Sequence, residues 1–207
     1  IYYRVHIQDF GWLGWAKNGE SSGSEGFSKR LEGIEVKLVK KGEPAPGNTK
    51  NPFIQKQVIY QTHVQQEGWQ NFVCDGEVSG TSGKSLRLEG IKIQLDNMKY
   101  NGGIEYKTHI QNIGWETSWK SNGAMSGTSG RSLRLEAIKI KLTGEIANYY
   151  DIYYRVHVQN FGWLGWAKNG EPSGSAGFSY RLEGIQIKLV EKGESPPVGI
   201  GESYKEK

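Results

Sequence analysis

The chain has 207 residues, a formal charge of +4 and 29 glycines, with 36% hydrophobic and 12% aromatic residues. Low apolar content with abundant glycine is typical of many short strands joined by tight turns, so we expect an all-β protein. The positive charge is spread thinly along the chain and forms no basic stripe. Nucleic-acid binding requires clustered Lys and Arg, and we therefore expect no nucleic-acid partner.

Several other classes of protein are excluded by motifs that the sequence lacks. Cys74 is the only cysteine, so neither an intrachain disulfide nor a CxxC zinc site can form. No apolar run is long enough to cross a bilayer, and we expect no membrane insertion. Because no nucleophile elbow, phosphate loop or HExxH motif is present, we expect a non-catalytic chain with no cofactor and no metal.

One nine-residue pattern, Arg-Leu-Glu-(Gly/Ala)-Ile-x-(Ile/Val)-(Lys/Gln)-Leu, occurs four times. Its copies begin at Arg30, Arg87, Arg134 and Arg181. The last six positions alternate apolar with polar residues, as a half-buried strand does. Each copy is preceded by a short strand with a His-x-Gln motif and by an Asn-Gly or Asp-Gly turn, which is a strong hairpin signal. The sequence therefore predicts four repeats of three or four strands each.

Differences among the repeats predict how they are grouped. Repeats 1 and 4 are near copies of each other, whereas repeats 2 and 3 share a different glycine-rich segment. This indicates a period of three, and we expect repeats 2 to 4 to form one pseudo-three-fold domain. A β-prism-like fold is the first expectation and a β-trefoil is the alternative. Repeat 1 would then be the last third of a preceding three-repeat unit. The predicted boundaries are 1–43 for repeat 1, 44–57 for a Pro/Gly linker, 58–97, 98–147 and 148–194 for repeats 2 to 4, and 195–207 for a flexible C-terminal tail.

Repeat 1 presents a problem of burial under this grouping. A single repeat cannot bury its own apolar face, because each unit of a repeat protein relies on its neighbours for a core. We therefore expect repeat 1 to pack on the neighbouring domain or to be completed by another chain in a homo-oligomer.

Two polar patterns recur in every repeat. Arg134 and Glu136 are two residues apart, which in a regular strand puts them on the face of Ile138. A charge on an apolar face must be paired, so we interpret the pair as a polar clasp, with catalytic carboxylates as the alternative. The one histidine of each repeat is expected to bond to backbone within its own repeat. The alternative is a metal site at which the histidines of repeats 2 to 4 converge.

Two aromatic positions recur as well. The first follows a glycine in every repeat, as Trp12, Trp69, Trp115 and Trp163, and we expect it in the core. The second lies beside the Asn-Gly or Asp-Gly turn, where exposure is expected. A flat ring next to an amide or carboxylate can cover the apolar face of a sugar and take its hydroxyls. We predict ligand-binding residues at this second position and its turn, with edge packing as the alternative: Trp15, Asn18, Phe72, Asp75, Trp119, Asn122, Trp166 and Asn169.

Taken together, the His-x-Gln, Gly-Trp, Asn-Gly, Ser-Gly-Thr-x-Gly and Arg-Leu-Glu-Ala-Ile-Lys-Ile motifs resemble the clostridial hydrophobic repeats with conserved tryptophan, the ChW family. The resemblance covers almost everything except the linker and the tail, and repeat 2 departs most, with Phe72, Cys74 and Asp75. It implies that these repeats belong to a secreted or surface-attached bacterial protein, and that this parent protein can also carry a hydrolase domain. It also implies binding to a glycan or bacterial cell-wall polymer, with a surface protein as the alternative partner in adhesion or assembly.

Overall fold

The computed structural model describes residues 1–207 except Gly26, Ser28, Lys56, Asn97 and Ile200. The chain is all-β, as the sequence predicts, with one short 3-10 helix at Glu145–Asn148 among the described residues. It divides into two compact units: unit 1 comprises Ile1–Lys56 and unit 2 comprises Gln57–Lys207. Unit 1 contains repeat 1, and unit 2 contains repeats 2 to 4.

Every repeat is built from two long strands and three short ones. In repeat 1 the strands are β1 (Tyr2–Ile7), β2 (Gly11–Trp12), β3 (Ala16–Lys17), β4 (Gly23–Glu25) and β5 (Leu31–Lys37), followed by β6 (Phe53–Gln55). In repeat 2 they are β7 (Val58–Val64), β8 (Gly68–Trp69), β9 (Val73–Cys74), β10 (Ser79–Gly80) and β11 (Leu88–Leu95). Repeat 3 has β12 (Gly103–Ile110), β13 (Gly114–Trp115), β14 (Lys120–Ser121), β15 (Ser126–Gly127) and β16 (Leu135–Thr143). Repeat 4 has β17 (Tyr150–Val158), β18 (Gly162–Trp163), β19 (Ala167–Lys168), β20 (Ser173–Ala176) and β21 (Leu182–Glu191), followed by β22 (Tyr204–Glu206).

The two long strands of each repeat form an antiparallel hairpin. In repeat 3, β12 pairs with β16 over the register from Gly103↔Thr143 to Ile110↔Leu135. The short strands β13 and β14 pair with the ends of β12. Side chains on one face of the hairpin are buried, Tyr106, Ile138 and Ile140 among them, while those on the other face are half-buried. This is the period-2 burial expected for a strand with one face in the core.

Unit 2 closes because each of its repeats lends one short strand to the next. Strand β15 of repeat 3 pairs with β11 of repeat 2, β20 of repeat 4 pairs with β16 of repeat 3, and β10 of repeat 2 pairs with β21 of repeat 4. The exchange returns to its starting repeat, so the three repeats form a ring around one shared hydrophobic core. This cyclic exchange gives unit 2 its pseudo-three-fold organisation, while the β-prism-like arrangement stays a prediction.

Glycine is required where the strands cross between repeats. Gly127 of β15 has φ +102°, and a Cβ added there would lie 2.5 Å from the carbonyl oxygen of Glu89 on repeat 2. The glycines at the same place in β10 and β20, Gly80 and Gly174, would clash in the same way at 2.4 Å. Only glycine permits this close approach of two backbones at positive φ.

In unit 2, a buried tyrosine of each repeat also bonds to a neighbouring repeat. The Tyr106 hydroxyl of repeat 3 accepts a hydrogen bond from the Ile93 backbone N–H of repeat 2 at 3.0 Å and donates to the carbonyl of Ala124. Tyr60 of repeat 2 likewise accepts from Ile187 of repeat 4 at 3.1 Å. Burial raises the pKa of Tyr106 to about 12 and also raises that of Tyr60, so both hydroxyls stay protonated and able to donate.

The Arg-Leu-Glu segment departs from a regular strand. The register shifts between His109 and Ile110, so that Glu136 is an extra residue between the pairs Ile110↔Leu135 and His109↔Ala137. The same shift occurs in all four repeats. The prediction that Arg134 and Glu136 share the apolar face of Ile138 is therefore wrong, because a β-bulge reverses the alternation at that point. Glu136 lies instead beside His109 on the other face of the hairpin.

Unit 1 has the same hairpin but exposes the β5 side chains of the face that unit 2 buries, while Val5 and Ile7 of β1 stay buried. The apolar side chains of β5 and the residue after it are exposed: Leu31 (54%), Ile34 (62%), Val36 (58%) and Leu38 (82%). Their counterparts in repeat 3, Leu135, Ile138 and Ile140, are at most 1% exposed. Strand β5 pairs with β1 and has no lent strand on its other edge among the described residues.

Repeats 1 and 4 each continue into an arm that returns to the repeat. Strand β6 runs parallel to β4 in the register Gly23↔Phe53, and β22 runs parallel to β20 in the register Gly174↔Tyr204. The linker 44–57 and the tail 195–207 thus both contain a strand, where the sequence led us to expect an exposed linker and a flexible tail. Lys56 and Ile200 lie outside the described residues of these segments.

Candidate binding surface of the repeats

A glutamate at the bulge of each repeat joins an arginine and a histidine. In repeat 3, Arg134 donates from Nε and Nη2 to Glu136 Oε1 at 2.9 and 2.8 Å, and His109 Nδ1 lies 3.0 Å from Glu136 Oε2. Glu136 is only 6% exposed, so its charge must be paired. The polar clasp predicted for Arg and Glu is present, and it includes the histidine that we expected to bond to backbone. The same three residue types meet in the other repeats, as Arg87, Glu89 and His63, as Arg181, Glu183 and His157, and as Arg30, Glu32 and His6.

The first tryptophan of each repeat lies on this clasp and not in the core. The His109 and Trp115 rings meet edge to face with centroids 5.4 Å apart, and the histidines of the other repeats meet their tryptophans in the same way. Trp12 is 43% exposed, and Trp115 is half-buried outside the hydrophobic core. The prediction of a core plug is wrong because the tryptophan follows the first strand onto the outer face of the hairpin. Tyrosine, isoleucine, leucine and valine fill the core instead.

Cations lie over these rings. Lys139 Nζ is 4.9 Å from the centroid of Trp115, and Lys92 Nζ is 4.5 Å from that of Trp69. In repeat 4 the Arg155 guanidinium lies between two indoles, 5.1 Å from Trp163 and 4.8 Å from Trp166. Cation–π contacts of this kind hold the ring and the cation in a fixed relative position at the surface.

The second aromatic differs in exposure from repeat to repeat. Phe72 is 47% exposed, Trp119 and Trp166 are half-buried, and Trp15 is only 7% exposed. The expectation of an exposed ring therefore fails at Trp15. The reason is the arm of repeat 1: the Trp15 backbone N–H donates to Asn48 at 2.8 Å, and a Cβ added at Gly47 would lie 3.1 Å from the Trp15 indole nitrogen.

Trp166 is covered by its own arm in a similar way. Its indole N–H donates to the Val198 carbonyl at 3.2 Å, and a Cβ at Gly199 would lie 3.0 Å from the ring. Repeats 2 and 3 have no such arm among the described residues. Phe72 and Trp119 are thus the second aromatics that no arm covers in the described part of the chain.

The turn residues named as ligand contacts have structural roles. Asn122 Oδ1 accepts from the Ile104 N–H at 3.1 Å and Asn169 Oδ1 accepts from the Ile152 N–H at 2.9 Å, so each fixes the start of its own hairpin. Asn18 Oδ1 accepts from the amino group of Ile1 at 3.0 Å. Each has a φ near +45°, which asparagine tolerates better than most residues.

Asp75 has this structural role in repeat 2, at a higher cost in folding free energy because its carboxylate is desolvated. Its carboxylate accepts from the N–H groups of Gln57 and Val58 at 2.9 and 3.2 Å. Burial raises the pKa of Asp75 to about 6, in spite of those hydrogen bonds and the nearby charge of Lys188. The adjacent Gly76 donates to the Ile187 carbonyl of repeat 4 at 2.7 Å, so the turn also belongs to the contact between repeats.

The eight predicted ligand contacts are therefore not brought together as one kind of site. The structure leaves an open surface in repeat 3, which we call the Trp119 patch: Trp115, Trp119, Lys107, Lys139 and Lys141. Lys107 and Lys141 lie 5.1 and 4.4 Å from the Trp119 ring centroid. These lysines were not predicted from the sequence, although their outward positions in β12 and β16 follow from strand alternation.

The part of the chain that the structure describes contains neither a metal-binding cluster nor a membrane-spanning helix. There, no group of three or more His, Cys, Asp or Glu side chains is placed to hold a metal ion. The same residues include no helix with the length and apolar character needed to span a bilayer.

These features define a class: an all-β tandem-repeat module with one Arg–Glu–His clasp and one surface tryptophan in each repeat. The family model described as "Clostridial hydrophobic W" matches the chain at residues 6–40, 63–97, 109–144 and 157–191. The matches cover more than half of the chain, and the protein belongs to this family. Neither curated proteins nor solved structures gave a match.

Proposed function

We propose that the protein is a non-catalytic binding module for a glycan or bacterial cell-wall polymer, and that it binds through its surface tryptophans. The observation that carries this proposal is the Trp119 patch of repeat 3. Two half-buried indoles and three lysines share the outer face of one rigid hairpin, and no arm covers them. The surface is preorganised because both rings are held in place by cations.

The chemistry of the patch suits a sugar polymer. An indole can cover the apolar face of a pyranose ring, and the half-exposed ammonium groups can donate to its hydroxyls or acidic substituents. Lys141 is paired with Glu105 at 3.0 Å, whereas Lys107 and Lys139 lie directly opposite each other in the hairpin. The patch therefore carries excess positive charge, which favours an acidic polymer.

Repetition would strengthen a weak contact. Repeat 2 offers a second open surface with Trp69, the exposed Phe72 and Lys92. Two sites on one rigid unit that engage the same polymer raise the overall avidity without any new contact. Binding a wall polymer also implies a secreted or surface-attached protein, which is part of the proposal.

The experiment measures retention of the full chain on purified bacterial cell walls, followed by competition with defined acidic and neutral polysaccharides. We expect Trp115→Ala combined with Trp119→Ala to lose most of the binding while keeping a native circular dichroism spectrum. Trp15→Ala is the matched control, because Trp15 is buried under its arm in unit 1. Equal binding by wild type and the double variant would remove the patch from the proposal.

A second candidate function, assembly between copies, is favoured by the exposed face of repeat 1. Strand β5 offers an apolar face, and its second edge has no partner strand among the described residues. The short strand that repeat 1 could lend, β4, is present. In unit 2 the equivalent edge and strand join one repeat to the next. We propose that three copies of repeat 1, from three chains, close a ring by the same exchange, with Ser22 and Gly23 of one copy pairing with Ile34 and Gly33 of the next. Such a head-to-tail contact closes into a three-fold ring when its rotation is 120°.

The mass of the full chain in solution tests this assembly. Light scattering over a range of concentrations should give a species of three times the chain mass. Ile34→Asp should reduce it to a monomer, whereas Lys37→Glu, on the outward face of the same strand, should not. A monomer at every concentration would overturn the proposed ring.

A further inference from the structure

A cavity of about 330 Å³ lies where the three repeats of unit 2 meet. Each repeat contributes an arginine and a glutamine, and two of them also contribute a serine. The lining residues are Gln65, Arg87, Gln111, Ser132, Arg134, Gln159, Ser179 and Arg181. The glutamines are the last residues of the His-x-Gln motifs and the arginines the first of the Arg-Leu-Glu motifs, so the two most repeated patterns of the sequence meet here.

The backbone fixes this arrangement. In each repeat of unit 2 the glutamine N–H donates to the carbonyl of the arginine at 3.0 Å, as Gln111 does to Arg134. This bond lies directly beside the bulge and sets the two side chains next to each other. The ring then repeats the pair three times around the cavity.

The arginines keep part of their hydrogen-bonding capacity. Arg134 uses Nε and Nη2 toward Glu136, and Arg87 and Arg181 are directed toward Glu89 and Glu183 in the same way. A guanidinium has five N–H donors. In the part of the chain that the structure describes, no partner is seen for Nη1 of any of the three.

The charge of the lining is one-sided. The cavity is lined by three guanidinium groups and no carboxylate, because Glu89, Glu136 and Glu183 lie behind the arginines and are each 6% exposed. Each clasp therefore points its positive end at the cavity. Three such ends repel one another, and an anion between them would be attracted to all three.

We propose that this cavity is a binding site for an oxyanion group, a phosphate, sulfate or carboxylate, held by the three arginines with the glutamine amides and serine hydroxyls. Arginine forks match the geometry of these groups, and charge-assisted hydrogen bonds are the strong ones. The site is separate from the Trp119 patch, so either proposal can fail without the other.

The experiment titrates the full chain with inorganic phosphate, sulfate or galacturonate and follows the arginine Nε–H signals by NMR. Sodium chloride at matched ionic strength is the reference. We expect saturable shifts of the Arg87, Arg134 and Arg181 signals with at least one of the three anions. The anion that binds most tightly identifies whether a phosphate, a sulfate or a carboxylate is preferred.

Two variants and a matched control separate binding from folding. Arg134→Gln should weaken binding by about tenfold or more, which is the loss of one charge-assisted contact. Ser132→Asp places a carboxylate in the cavity while leaving the clasp intact, and aspartate tolerates the φ of +54° at this position. It should abolish binding with no change in fold.

Arg30→Gln removes the equivalent arginine of repeat 1, which lies outside unit 2, and should leave binding unchanged. The absence of saturable shifts with all three anions, or unchanged binding in Ser132→Asp, would overturn the proposal.

Discussion

Replacing Tyr106 with phenylalanine removes a hydroxyl that joins two repeats. The ring stays fully buried, but the Ile93 N–H of repeat 2 loses its acceptor and the Ala124 carbonyl loses a donor. A buried polar group without a partner costs about 1–3 kcal/mol. We expect the free energy of unfolding of unit 2 to fall by about 2–4 kcal/mol, since both groups are affected and some relaxation follows.

Urea unfolding of the full chain measures the loss, and hydrogen exchange of the Ile93 amide locates it. The control is Tyr3→Phe in repeat 1, because the contacts of the Tyr3 hydroxyl with described residues are to its own turn, at Gly19 and Glu20. Water can replace those contacts, so the control should lose less than about 1 kcal/mol. A loss below about 0.5 kcal/mol in Tyr106→Phe, with unchanged exchange at Ile93, would refute the role of this hydroxyl in closing the ring.

Two further substitutions test other parts of the account. The folded-state pKa of Asp75, about 6, lies above the ordinary value of 3.8, so its contribution to stability is present below pH 3.8 and is lost as the pH rises through 6. Asp75→Asn, which copies repeats 3 and 4, should remove this loss and stabilise unit 2 at pH 7 by about 1–2 kcal/mol, less than the full shift because the carboxylate is half-buried. Thermal unfolding at pH 4 and pH 7 measures the stability that Asp75→Asn gains. An equal gain at both pH values would contradict the raised pKa of Asp75. A Cβ at Gly165 would lie 2.0 Å from the Gly201 carbonyl oxygen, so Gly165→Ala should release the arm and expose Trp166. Limited proteolysis and tryptophan fluorescence read this out, with Asn71→Ala as the control, and an uncleaved tail would count against the arm.

Strand periodicity and repetition were enough to predict the fold class and the four repeats, because burial alternates along long strands such as β12 and β16. The repeated Arg and Glu were also recognised as a structural pair, whereas the histidine was expected to bond to backbone. The face of Glu136 was not predicted, although Leu135 and Ile138, both buried, are three residues apart, which is the spacing that one extra residue produces in an alternating strand. The opposite faces of Glu136 and Ile138 follow from that single extra residue.

The candidate site was harder to predict, because exposure depends on contacts that are distant in sequence. Trp15 and Trp119 occupy equivalent places, yet an arm covers only the first. One signal was available: Gly14 and Gly165 occur only in the repeats that carry arms, and a Cβ at either would lie 2.0 Å from an arm carbonyl. The cavity between the repeats could not be foreseen in the same way, since it requires the order in which the strands are exchanged.

The most direct test of the proposed function is the fraction of the full chain that sediments with purified cell walls. We predict saturable retention that an acidic polysaccharide competes away. The double variant Trp115→Ala with Trp119→Ala should lose most of it, whereas Trp15→Ala should keep it. No retention of the wild-type chain, or equal retention of the double variant, would contradict the claim that these surface tryptophans bind a wall polymer.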